Sequence, residues 1–126
     1  MYILKFSSHF DGAHQLRDYK GKCARVHGHR WDIEAEVTGE KLDKRGLLVD
    51  FHDLKAWLKE ICESFDHRMI NEVEGFQDGQ LNPTAENLAY FIYKKLEAKV
   101  RSEYTYVKLG HVTVWESTNC GATYRE

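Results

Sequence analysis

Apolar side chains occupy alternate positions over residues 2–16. Tyr2, Leu4, Phe6, Phe10 and Leu16 share even parity, with Ile3 and Ala13 as odd-face exceptions. Over residues 25–39 the alternation continues in the opposite parity. Trp31, Ile33, Ala35 and Val37 fall on one side, and Arg30, Asp32, Glu34 and Glu36 on the other. A period of two with one apolar face predicts two half-buried strands. After a turn-like segment at 39–46 the period changes. Leu54, Trp57, Leu58, Ile61 and Phe65 recur at helical spacing and predict a helix over about residues 50–65. Asn82-Pro83 announces a second helix, with Asn82 as N-cap and the proline at the first helical position. Leu88, Phe91, Ile92 and Leu96 supply its apolar stripe. A β-rich stretch at 104–115 and a return strand at 121–124 complete the order ββααββ. That order predicts an α+β fold, an antiparallel sheet with two helices packed on one face.

The 126 residues are expected to form one domain, 1–126, with no linker, repeat or low-complexity tract. A formal net charge of −2 gives no global attraction to nucleic acid or to an anionic membrane. No apolar run approaches the ~20 residues of a membrane span. The opening stretch MYILKFSSHF lacks the charged and apolar regions of a secretion signal. Three widely spaced cysteines argue against a disulfide framework, so a reducing cytoplasm is expected.

Strand parity gives the histidines meaning. His27 and His29 lie on the side of Trp31 and Ile33, and His14 lies on the side of Phe6 and Phe10, whereas His9 points the other way. A single inward histidine is usually a satisfied core residue. An i, i+2 pair joined by a third from the neighbouring strand is a three-cornered ligand set for Zn2+, with Gly28 expected to leave room beside the ion. Three neutral ligands leave a fourth position open, as in catalytic zinc sites. His52 and His111 have no partners in sequence.

The other reactive residues are more ambiguous. Cys23 sits in a loop with Lys20, Lys22 and Arg25, a setting that favours thiolate, although it also reads as an incidental loop thiol. Cys62 falls on the apolar side of the first helix and reads as packing. Asp66-His67 reads either as a helix C-terminal cap or as a proton-relay pair. Arg17, Lys20, Lys22, Arg25 and Arg30 form a local basic excess, either a solvated face or a holder for phosphate.

The motifs FDGAHQL, CARVHGH, LLVDFHDLK, FDH, NPTAENLA and VWES, in that order, cover nearly the whole chain. In them the chain resembles the 6-pyruvoyltetrahydropterin synthase superfamily. It is most similar to the bacterial 6-carboxy-5,6,7,8-tetrahydropterin synthase branch, which acts in queuosine biosynthesis. The CxxxHGH spacing is the sharper element, because the animal pyruvoyl enzymes have a longer gap before HGH. Gly12 and Ser117 depart from the common residues without removing a reactive group. The resemblance implies His14, His27 and His29 as zinc ligands and Cys23 as the catalytic cysteine. Asp66 with His67 would be the second acid/base pair, and Glu116 the carboxylate anchoring the pterin ring. Thr84 and Glu86 would lie in a pterin-pocket loop.

It further implies that three such sheets close into a barrel, within a homohexamer of two trimers. The implied substrate is 7,8-dihydroneopterin triphosphate, converted to 6-carboxy-5,6,7,8-tetrahydropterin with release of triphosphate and a two-carbon aldehyde. Two alternatives stay open: the same zinc site making 6-pyruvoyltetrahydropterin, and a non-catalytic zinc- or pterin-binding oligomer.

Overall fold

The computed structural model describes residues 1–126. Strands β1 (Tyr2–His14) and β2 (His27–Gly39) pair antiparallel along their full lengths, from Tyr2 opposite Gly39 to His14 opposite His27. Helix α1 (Phe51–Glu63) follows, then a two-residue strand β3 (Arg68–Met69) and helix α2 (Ala85–Glu103). Strands β4 (Lys108–Trp115) and β5 (Gly121–Tyr124) close the chain. The sheet order is β3-β1-β2-β4-β5. α1 packs on β1, and α2 on β4 and β5.

The parities hold. Phe6 and Phe10 of β1 and Trp31, Ile33, Ala35 and Val37 of β2 are all buried, facing the helices. Leu54, Leu58 and Cys62 of α1 and Leu88, Ile92 and Leu96 of α2 complete the core. Burying side chains of this size contributes about 1.5–3 kcal/mol each, so the core side of the sheet fixes the register. A one-residue slip of β2 would turn Trp31, His27 and His29 out to the other face, away from His14 on β1.

Three expectations need adjustment. The sheet is mixed rather than antiparallel, because β3 runs parallel to Gly12 and Ala13 of β1. Two residues give no period, so that strand is invisible in sequence. α2 begins later than Asn82-Pro83: its N-cap is Thr84, whose side chain accepts the Asn87 N–H. Asn82 is otherwise engaged. Its amide accepts the Arg17 N–H at 2.9 Å and donates to the Arg17 carbonyl at 3.1 Å, bridging to the chain just beyond β1. Finally, α2 continues to Glu103, so β4 starts at Lys108 rather than near residue 104. α1 matches expectation more closely, with Asp50 as its N-cap.

Candidate metal centre and active site

His14 ends β1 and His27 begins β2, directly opposite one another, and His29 lies two residues further along β2. The three imidazoles gather beside the buried indole of Trp31 at this end of the sheet. That ring meets His14 edge-on at 4.9 Å and His29 at 5.4 Å. The indole N–H donates to the Gly12 carbonyl at 3.1 Å, which locks the floor of the site to both strands.

The hydrogen bonds decide which nitrogens face inward. His14 Nδ1 is 2.7 Å from the Pro83 carbonyl, and His27 Nδ1 is 2.7 Å from the Arg25 carbonyl. A carbonyl only accepts, so both Nδ1 atoms carry the proton in the neutral rings and both Nε2 atoms present lone pairs. Those two Nε2 atoms stand 3.0 Å apart. The Nε2 of His29 is buried with no hydrogen-bond partner. Glu116, just after β4, brings Oε1 to 3.3 Å from His14 Nε2 and 3.4 Å from His29 Nε2. The ligand atoms of His14, His27, His29 and Glu116 all lie within 4.8 Å of one another. Facing lone pairs, a carboxylate and an orphaned buried nitrogen repel one another or go unsatisfied unless a cation stands between them. The donor set therefore suits a metal ion, and nitrogen with one oxygen suits zinc among others.

Electrostatics favour ligation. Burial pushes the His14 and His29 imidazoles below the ordinary histidine range, so both are neutral near pH 7, as metal binding requires.

Asp66 and His67 lie beyond α1, in the turn that leads into β3. The His67 N–H donates to the Asp11 carbonyl at 2.6 Å, and the Asp11 N–H donates to Asp66 Oδ1 at 2.9 Å. His67 adopts φ 54°, uncommon for a residue with a side chain. Its Nδ1 donates to Asp66 Oδ2 at 2.9 Å. That hydrogen bond and the carboxylate charge raise the His67 pKa, while the Asp11 N–H and then His67 lower that of Asp66. The backbone of the pair also closes α1, since the Asp66 N–H donates to the Cys62 carbonyl at 3.1 Å in the helix's last turn, so the cap and the paired side chains coexist. His67 is an exposed imidazole held toward its charged form.

An open cleft of about 490 Å³ connects His67 to His29 across Gly12 and Gly28, with Arg30 and Arg68 in its walls. Gly28 has the opposite parity from His27 and His29. A Cβ there would meet only the Gly12 carbonyl, at 3.8 Å. Its smallness thus keeps the cleft floor flat and does not make room beside the metal. A larger cavity of about 820 Å³ involves α1 and α2, and none of the histidines lines it.

Cys23 lies in a 3₁₀ turn, Lys22–Ala24, and is half-buried. It is not among the converging ligand atoms. Its turn is tied to the end of β1: the Leu16 N–H donates to the Cys23 carbonyl at 3.1 Å, and the Gln15 amide donates to the Ala24 carbonyl at 2.8 Å. Cys62 is buried in the core, and burial pushes its thiol up to about 12. Arg17 is drawn inward to the Leu81 and Phe76 carbonyls, so it is a tether and leaves the basic group. Lys20, Lys22, Arg25 and Arg30 are exposed. Thr84 caps α2 beside Pro83, and Glu86 is exposed in the helix's first turn.

Sequence reasoning missed the residues that aim the ligands. The Pro83 carbonyl orients His14, and a main-chain oxygen carries no residue signature. Asn71 and Asn82 each clamp both backbone groups of one residue, Gln15 and Arg17, holding the chain just past His14. Polar residues before a helix read as caps, which hides such long-range bridges.

Residues 3–126 match the family described as 6-pyruvoyl tetrahydropterin synthase, and the chain belongs to that family. It is 37% identical over 98 residues to a putative 6-carboxy-5,6,7,8-tetrahydropterin synthase from Archaeoglobus fulgidus, covering 77% of each chain. To the 6-carboxy-5,6,7,8-tetrahydropterin synthase of Synechocystis it is 34% identical over 102 residues, covering 77% of this chain and 76% of the relative. The structure of Caenorhabditis elegans 6-pyruvoyl tetrahydropterin synthase superposes with a TM-score of 0.86 at 26% identity, over 99% of this chain and 95% of that one.

Proposed function

We propose that the chain is a zinc-dependent 6-carboxy-5,6,7,8-tetrahydropterin synthase of queuosine biosynthesis, acting on 7,8-dihydroneopterin triphosphate in the cytoplasm. The observation that carries the reading is the convergence of three imidazole nitrogens at the sheet end, in a chain similar to proteins of that name. The reaction must remove the triphosphate and two side-chain carbons and leave a carboxylate on the ring. Acetaldehyde takes one oxygen and the carboxylate needs two, while the substrate's free hydroxyls supply two in all, so one water enters. No external redox cofactor is needed, because the dihydropterin ring is reduced as its side chain is oxidised.

In this reading His14, His27 and His29 hold the zinc, which supplies a Lewis acid beside the side-chain hydroxyls. Cys23 takes protons from the side-chain carbons, and His67, whose protonated form Asp66 favours, gives them back. Glu116 accepts the ring N–H and exocyclic amino group with its two oxygens. Thr84 and Glu86 border the ring. The exposed Lys20, Lys22, Arg25 and Arg30 are the candidates for the triphosphate.

The functional unit is a homohexamer of two trimers, each closing its sheets into a barrel. The outer edge of β1 supports this, since it pairs with no strand from Tyr2 to Phe10 and an open edge of that length favours pairing with another chain. Sites would then form between subunits, which suits the exposure of His67. A second reading, in which turnover stops at 6-pyruvoyltetrahydropterin, draws on the close superposition with the C. elegans enzyme. The test is to incubate purified protein with 7,8-dihydroneopterin triphosphate and identify products by mass, with zinc measured on the same sample. The carboxy product and acetaldehyde support the first reading. A pyruvoyl product selects the second, and no turnover by zinc-loaded protein defeats both.

A further inference from the structure

The carboxylate of Glu116 stands among the metal-facing nitrogens instead of waiting for a ring. We infer that Glu116 is a fourth, displaceable ligand of the centre, and that substrate ring and metal compete for its carboxylate, so that ring binding opens the metal. The ring half of this inference rests on the pterin-synthase reading above; the metal half rests on the geometry of this chain.

Ligands bound at about 2.0–2.1 Å in a tetrahedron stand about 3.3–3.4 Å from one another. Glu116 Oε1 lies 3.3 Å from His14 Nε2 and 3.4 Å from His29 Nε2, the edges of such a tetrahedron. Hydrogen bonding does not account for those distances. The proton of His14 is on Nδ1, committed to the Pro83 carbonyl, and His29 Nε2 makes no hydrogen bond at all. A carboxylate oxygen facing the His14 lone pair and the unpartnered His29 nitrogen is a coordination geometry.

The same side chain is free to leave. Its backbone N–H is fixed to the Cys120 carbonyl at 3.0 Å in the β4–β5 hairpin, so the hairpin stays in place. The side chain is 32% exposed and has no partner besides the two histidines. A ring presenting two adjacent N–H donors would offer it a bidentate, charge-assisted pair. Taking that pair withdraws Oε1 and frees a position for the side-chain oxygens of the same molecule. A ligand with hydroxyls and no such ring would leave the centre closed. The arrangement therefore selects for molecules that carry both parts.

The test uses the cobalt(II)-substituted protein, whose visible spectrum reports the ligand set, with azide as a small anion that reads whether a position is open. Unsubstituted pterin serves as the ring probe, because it has no side-chain oxygen to reach the metal. Wild type should bind azide weakly, and saturating pterin should strengthen that binding by roughly 5- to 150-fold. Azide should strengthen pterin binding by the same factor. Glu116→Gln, and Glu116→Ala as a second variant, should bind azide tightly without pterin and gain nothing from adding it. Zinc affinity in both variants should fall by roughly ten- to a hundredfold. Azide affinity equal in wild type and variants overturns the inference. So does pterin that binds wild type without changing the spectrum or the azide affinity, an outcome that leaves the pterin-synthase reading standing. Failure of pterin to bind wild type removes the ring half together with the pterin-synthase reading, and the metal half then stands or falls on the azide comparison without pterin.

Discussion

Removing one imidazole from the centre separates what the histidines do for the metal from what they do for the fold. His14 is 1% exposed, and its Nδ1–H satisfies the Pro83 carbonyl at the start of α2. His14→Ala leaves a cavity and an unsatisfied buried carbonyl, so the metal-free protein should lose about 3 kcal/mol. His27 is half-buried, and its Nδ1–H bonds the carbonyl of Arg25, an exposed residue where water can substitute. His27→Ala should cost the metal-free protein less than about 1 kcal/mol. It also removes one of two lone pairs that face each other at 3.0 Å.

Metal reverses the comparison. Zinc free at a hundred times its Kd stabilises the native state by about 2.7 kcal/mol, or roughly 10 °C in Tm for a chain of this size. Wild type should show that rise, and both variants should lose most of it. The assay is thermal denaturation at fixed protein concentration, with chelator and with excess zinc. A full zinc-dependent rise in His27→Ala would refute the ligand assignment. Equal destabilisation of the two metal-free variants would refute the role given to the Pro83 carbonyl.

Asp66→Asn keeps an acceptor for the Asp11 N–H and removes the charge, so the His67 pKa should fall toward about 6.5 in an NMR titration; an unmoved titration breaks the pairing. The pH sense follows from the two shifts. The His67 pKa is raised on folding, so its contribution is full below about 6.5 and is lost as pH rises through the folded value. Asp66 is depressed, so its contribution is present above about 3.9 and lost as pH falls through its lower folded value. Cys23→Ala should keep its zinc and lose ~10²- to 10⁴-fold in turnover, measured on one preparation; loss of zinc would make the cysteine a ligand. Cys62→Ala should lower Tm without altering kcat, since its thiol is buried in the core. Thr84→Ala removes the cap of α2 and should cost about 0.5–2 kcal/mol in urea denaturation; an unchanged midpoint would return the cap to Asn82.

Periodicity alone determined the two long strands, their inward faces and both helices, because burial repeats every two or every 3.6 residues whatever the chain does elsewhere. The same parity placed His14, His27 and His29 on one face, and the antiparallel register of β1 and β2 makes that shared face a shared point. Tertiary structure decided the rest. Glu116 joins the histidines only because β4 lies beside β2 and ends near the site, about ninety residues after His27 in the chain. Asn82 reads locally as a cap, yet its amide forms a two-way bridge to Arg17, leaving Thr84 to start the helix. Arg17 reads as one more surface cation and is instead drawn to buried-side carbonyls. Each of these residues has hydrogen-bonding capacity that several partners could fill. Sequence states the capacity; only the packing of distant segments selects the partner.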